Sequence, residues 1–132
     1  MNLQLLQVEV GAWARKNFPD AKPHQPLLGM GEEVGELMHA FLKSEQGIRT
    51  NEDHRAGMVD AIGDLFIFAA HFCELNNIDM QGAVNTTWAK VKLRDWTKNK
   101  TDGVETPTES APPMLWESRA LISRRSLTRS KS

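Results

Sequence analysis

Five carboxylates stand out as residues that could do chemistry: Glu32, Glu33 and Glu36 in GEEVGEL, then Asp60 and Asp64 in VDAIGDL. On a helix the three glutamates fan across about 100°, while Val34, Leu37, Met38 and Phe41 point the other way. Asp60 and Asp64 lie one turn apart on a shared face. Side chains of this kind can solvate a surface, move a proton, or hold a hard cation. For the glutamates alone, a solvated face opposite an apolar stripe is the ordinary reading.

The aspartates change that weighting. From Ala61 to Cys73 the segment AIGDLFIFAAHFC is apolar nearly all the way round, the pattern of a helix enclosed by protein, and Asp64 lies inside it. A buried, ionised carboxylate requires a cation, a basic side chain or protonation. The local basic groups are only Arg55 and His71. A divalent ion held between the Glu face and the Asp face resolves the conflict, and oxygen ligands select Mg²⁺ or Mn²⁺ over zinc or copper.

Five acidic groups exceed the needs of one ion. The excess fits a site completed by phosphate oxygens, because Mg²⁺ commonly bridges a few carboxylates and a substrate phosphate. Further along, Asn85, Trp88 and Lys92 share one broad helical face, flanked by Lys90 and Arg94. They offer hydrogen bonding, stacking and phosphate neutralisation, although a solvated basic helix has the same look. Gly31, Gly35 and Gly63 fall inside helical segments, each costing about 0.5–1 kcal/mol relative to Ala. Close helix packing or room for a ligand is expected to offset that.

The elements that must position these groups read as helices. Leu3, Leu6, Val10 and Trp13 form an apolar stripe from about residue 2 to Asn17, closed by Pro19, Pro23 and Pro26. A second helix runs over Leu27 to Leu42, with Met30, Val34, Leu37, Met38 and Phe41 as its buried face and Gly47 beyond its end. Thr50 or Asn51 can cap a third that reaches Asn76 or Asn77. Asp79 can cap a fourth carrying Met80, Val84, Trp88 and Val91, up to about Lys98. The pattern predicts an all-α fold, a four-helix up-and-down bundle over 1–98. Residues 99–132 form a Pro/Ser/Thr-rich and then basic tail, expected to be disordered, or else to dock through Met114, Leu115, Leu121 and Ile122.

Composition narrows the class. With 132 residues, one domain is expected, and a net charge of −1 gives no overall footprint for nucleic acid or an anionic membrane. The basic residues after Glu117 (Arg119, Arg124, Arg125, Arg129 and Lys131) carry no recognised nucleic-acid motif. One cysteine, Cys73, excludes an intramolecular disulfide framework and a Cys-based zinc cluster. With no signal-like N-terminus and no apolar run approaching about 20 residues, a cytoplasmic protein is expected.

On these residues the chain resembles the MazG-like nucleoside triphosphate pyrophosphohydrolases, the all-α NTP pyrophosphatase group. Its mark is EExxE followed, a couple of dozen residues later, by an acidic pair. Here those are Glu32, Glu33 and Glu36, then Asp60 and Asp64, within HQPLLGMGEEVGELMHAFLKSEQGIR and VDAIGDLFIF, and TWAKVKLRDW is similar too. The likeness spans about residues 5 to 97. One departure is Ala61, which stands where many members carry the first acid of ExxD, leaving Asp60 to serve.

The resemblance implies Mg²⁺-dependent hydrolysis of a (d)NTP to (d)NMP and pyrophosphate. Glu33, Glu36, Asp60 and Asp64 would be metal ligands, Glu32 or Glu33 the proton acceptor, and Asn85, Trp88, Lys90, Lys92 and Arg94 substrate-binding groups. Trp13, Phe18 and Trp88 would be candidates to stack on the base. It also implies a homo-oligomer, dimer or tetramer.

Two other classes compete. Glu36 and His39 form one Glu-x-x-His pair of the di-iron kind, but His71 and Glu74 are in the reverse order and no second such pair occurs. A non-catalytic nucleotide-binding or interaction module would use the same bundle.

Overall fold

In this computed structural model residues 1–105 are described, and the expectations for 106–132 lie outside them. Among the described residues the protein is all-helical: α1 (Leu3–Asn17), α2 (His24–Gln46), α3 (His54–Leu75) and α4 (Met80–Val91), with no strand. The chain divides into two compact units, Met1–Lys90 and Val91–Ser132.

Local chemistry sets the helix ends. Asn2 caps α1, its side-chain oxygen accepting the Leu5 N–H at 2.8 Å. Gly47 closes α2 with a left-handed φ of 63°, a conformation that costs glycine little. The cap of α3 is Asp53, which accepts the Ala56 N–H at 2.9 Å, rather than Thr50 or Asn51. The reason is the connection before it: Arg49 takes a positive φ of 52°, and the Glu52 N–H closes a turn on the Arg49 carbonyl. Asp79 receives the Gly82 N–H at 3.1 Å at the start of α4.

Helices α2 and α3 pack along their lengths, and α1 packs on α3. At Gly29 the Phe68 ring of α3 lies against the α2 backbone. A Cβ there would stand 2.5 Å from the Phe68 ring, so only glycine lets α2 and α3 meet at this point. Gly11 does the same for the side chain of Glu74, which reaches past it to pair with Arg15 at 3.1 Å.

Rather than forming a fourth stave, α4 joins the others through its first turn. The Gln7 amide donates to the Ile78 carbonyl at 2.7 Å and accepts the Met80 N–H at 2.8 Å, while the Leu3 N–H donates to Gln81 at 3.2 Å. Val10, Ala70 and Met80 form the core cluster beneath, with Leu3, Leu6, Ala69 and Cys73 packed on it. Burial and two nearby carboxylates, Glu74 and Asp79, push the Cys73 thiol above its ordinary value.

The apolar stripes differ from expectation in a consistent way. On α2 the buried residues are Pro26, Gly29, Glu33 and Ala40, whereas Val34, Met38 and Phe41 are exposed, Met38 by 61%. Trp13 is exposed on α1, where Gln7, Val10, Gly11 and Ala14 are buried instead. On α3 only Ala61 and Ala70 are buried, and Val59, Ile62, Phe66 and Ile67 are exposed. Hydrophobic periodicity identifies an apolar face but not its partner; among the described residues much of these faces is left exposed.

By length and composition alone, α3 could cross a membrane, with a mean hydropathy of 1.4 over its best window. Asp60 and Asp64 lie within it, however, and a centrally placed aspartate costs about 2.5–3.5 kcal/mol on insertion scales.

In the second unit the reading of α4 up to Lys98 fails, because the helix ends at Val91 and Asp95 builds a turn instead. Its carboxylate accepts from the Thr97 hydroxyl and N–H and from the Lys98 N–H, and the Asp95 N–H donates to the Gly103 carbonyl at 2.8 Å. A short polar side chain that bonds its own backbone competes with helix continuation. The Thr97 hydroxyl, first of these donors, holds the Asp95 carboxyl below its usual range.

The Gln7 clasp has a measurable weight. Gln7→Leu leaves the Ile78 carbonyl and the Met80 N–H without their partner, so unfolding free energy in urea should fall by about 2–3 kcal/mol. A loss below about 0.5 kcal/mol would show that α4 is held by packing alone.

Candidate active site

The face of α2 turned toward α3 is the carboxylate face. Glu33 follows Pro26 and Gly29 along it and is 8% exposed. Its Oε2 is buried with no hydrogen-bond partner. Burial raises its carboxyl above the ordinary glutamate value, and Glu36, Asp64, Glu32 and Asp60 raise it further, in that order. All five sequence-selected carboxylates are therefore near enough to repel through this one side chain. Among the described residues none of the five is in an ion pair; the pairs that exist join Arg15 to Glu74, His39 and Arg49 to Glu52, and Lys98 to Asp95.

Two cavities adjoin this cluster. One, about 460 Å³, is lined by Glu32, Glu36 and Asp60 together with His39, Glu52 and His54. The other, about 590 Å³, is lined by Glu33 and Asp64 together with Trp13, Phe18, Gln25 and His71, among others. Glu36 and Asp64 thus face different cavities, and the link between them is the shared influence on Glu33. Asp64 is half-buried, less enclosed than its apolar surroundings in the sequence imply, because α3 is flanked by α1 and α2 only.

The second cavity is amphipathic. Trp13 and Phe18 stand edge to face at a centroid distance of 5.5 Å, each about half exposed, and Pro26, Ile67 and Phe68 add apolar wall. Burial lowers the His71 pKa, favouring the neutral ring with one donor and one acceptor. A flat aromatic ligand bearing an anionic end matches such a space: stacking at the aromatic pair, the anion toward a cation held by carboxylates.

Does the donor set suit Mg²⁺? A buried, unpartnered carboxylate oxygen beside four further carboxylates requires a cation or a proton. Yet among the described residues no three His, Cys, Asp or Glu side chains converge closely enough to cage a metal unaided. That combination fits Mg²⁺, which keeps several waters and takes one or two carboxylates plus phosphate oxygens. His39, of the Glu36–His39 pair, sits 4.0 Å from Glu52.

Of the fourth-helix set, only the residues in the first unit can be compared with these walls. Asn85, Trp88 and Lys90 line neither cavity, the Asn85 oxygen accepts from Gln81 at 3.0 Å, and Trp88 is exposed. Lys92 and Arg94 belong to the second unit. Gln25 belongs to neither an acidic nor an apolar pattern and so carries no spacing signal, whereas His71, a basic neighbour of Asp64 in the sequence, lines the same cavity as that aspartate. Among the described residues, Gly31, Gly35 and Gly63 have no atoms within 4 Å of an added Cβ.

The Glu33 shift has a defined sign. Between the ordinary glutamate value and the raised one, the folded chain keeps a proton that the unfolded chain has lost. Proton loss therefore favours unfolding, and this contribution to stability declines as pH rises through that window. In metal-free buffer, Glu33→Gln should remove the decline, so the stability difference between wild type and variant should change with pH; parallel curves would show that Glu33 is not perturbed.

No family model matches the chain, and no curated protein or solved structure matches it either.

Proposed function

We propose that this protein is a Mg²⁺-dependent nucleoside triphosphate pyrophosphohydrolase, converting a (d)NTP to (d)NMP and pyrophosphate. The observation that carries this reading is the buried, unpartnered Glu33 oxygen amid four carboxylates, directly beside a cavity with an aromatic pair. The resemblance of the two acidic motifs to the MazG-like group supplies the reaction class.

Glu36, Asp60 and Asp64 are the residues to hold the metal, with Glu33 completing the set. When bound, Mg²⁺ neutralises the triphosphate and lowers the pKa of an attacking water. The base stacks on Trp13 and Phe18, which places the α-phosphate toward Glu33 and Asp64. Water attacks the α-phosphorus, the bond from that phosphorus to the α,β-bridging oxygen breaks, and pyrophosphate leaves. Glu33 takes the water's proton. Glu32, exposed beside Glu36, is the alternative acceptor.

The same reading includes a homo-oligomer. Val34, Met38 and Phe41 on α2, and Val59, Ile62 and Phe66 on α3, are exposed among the described residues, apolar area that a second copy could cover. Gly31, Gly35 and Gly63 stand open beside them, as close approach of another helix would require.

The test is a panel of NTPs and dNTPs with Mg²⁺, scored for monophosphate and pyrophosphate. Turnover should be abolished by chelation and fall at least about 10³-fold in Glu36→Ala and Asp64→Ala with helicity retained, while Glu33→Gln should lose about 10²–10⁴-fold in kcat. Orthophosphate as product, or near-wild-type rates in these variants, would defeat the reading.

A further inference from the structure

The aromatic cavity also holds a group able to tell bases apart. Gln25 lines it at the start of α2, eight residues before Glu33 and so about 12 Å away along the helix axis, comparable to the span of a nucleoside. Its amide orientation is set by one hydrogen bond. The side-chain oxygen accepts the Lys22 N–H at 2.8 Å, and since a backbone N–H can only donate, the oxygen and not the nitrogen must face Lys22. The amide NH₂ is left as a donor with no partner among the described residues.

The other polar groups lining this cavity do not duplicate that role. Glu33 and Asp64 lie at the end assigned to the metal and phosphates, and the neutral His71 ring offers one donor and one acceptor. Trp13 and Phe18 stack on any base. Discrimination by an exocyclic group therefore falls to the Gln25 amide donor.

We infer that Gln25 makes this site selective for nucleobases carrying a carbonyl at pyrimidine C4 or purine C6, such as uracil, thymine and guanine, over those carrying an amine there, cytosine and adenine. The inference rests on the pyrophosphohydrolase reading for its substrate class, and on the Lys22–Gln25 hydrogen bond for its direction. A carbonyl accepts from the amide, whereas an amine sets donor against donor and leaves both unpaired. Gln25 is itself solvent-exposed, so the preference should be about 10–100-fold in kcat/KM, below that of a sealed pocket.

The decisive measurement is kcat/KM for pyrophosphate release from dUTP, dTTP, dGTP, dCTP and dATP with wild type, Gln25→Glu and Gln25→Ala. In Gln25→Glu a carboxylate oxygen still accepts the Lys22 N–H while the other replaces the donor with an acceptor. The keto-to-amino ratio should then fall at least about 10-fold, and in Gln25→Ala it should approach unity. Equal ratios in all three proteins, or a wild type that prefers dCTP or dATP, would overturn the assignment. If wild type releases no pyrophosphate from any triphosphate, the pyrophosphohydrolase reading fails first. The ratio of Kd values for dUMP and dCMP in the same three proteins then decides the role of Gln25: a shift toward dCMP in Gln25→Glu supports it, and an unchanged ratio refutes it.

Discussion

One buried carboxylate governs this molecule. Glu33 is enclosed where α2 meets α3, one of its oxygens has no partner, and four other carboxylates press on it. Left alone, such an arrangement opposes folding, because each added negative charge raises the cost of ionising the enclosed group. Its persistence is explained if the folded protein works with a cation in that place. The two cavities, the aromatic pair and the glutamine that faces it take their meaning from the same point.

The packing around Glu33 turns α2 over relative to what an isolated amphipathic helix would choose. Its polar-containing side, through Pro26, Gly29, Glu33 and Ala40, contacts α3, and much of its apolar side is exposed. Gly29 makes this possible by admitting the Phe68 ring. A protein that turns Glu33 inward and leaves Met38 and Phe41 exposed gives up hydrophobic stabilisation that a second chain could restore. On the proposed reading, site and oligomer would both follow from that choice of helix face.

Much of the architecture was legible in the sequence, and the reasons are local. Gly47 and Asp79 announce helix boundaries through backbone freedom or their own side chains, and the four helices fall near where periodicity puts them. The carboxylates were legible as a set because their spacing on two helices is regular. Less visible was which face of α2 meets α3, since periodicity orients residues about an axis and says nothing of the neighbour. The Asp53 cap was hidden by the Arg49 turn, and the end of α4 by the Asp95 turn, both cases of side chains or single residues overruling propensity. Gln25 and Gln7 carry no pattern at all; their roles come from long-range or turn geometry that only the folded chain shows.

The claim that carboxylates from α2 and α3 share a divalent ion can be tested without turnover. Mn²⁺ titration followed by electron paramagnetic resonance, in the presence of a non-hydrolysable triphosphate, should show saturable binding to wild type that weakens at least about 10-fold in Asp64→Asn. Absence of saturable binding at millimolar Mn²⁺, or equal affinity in the variant, would contradict the account.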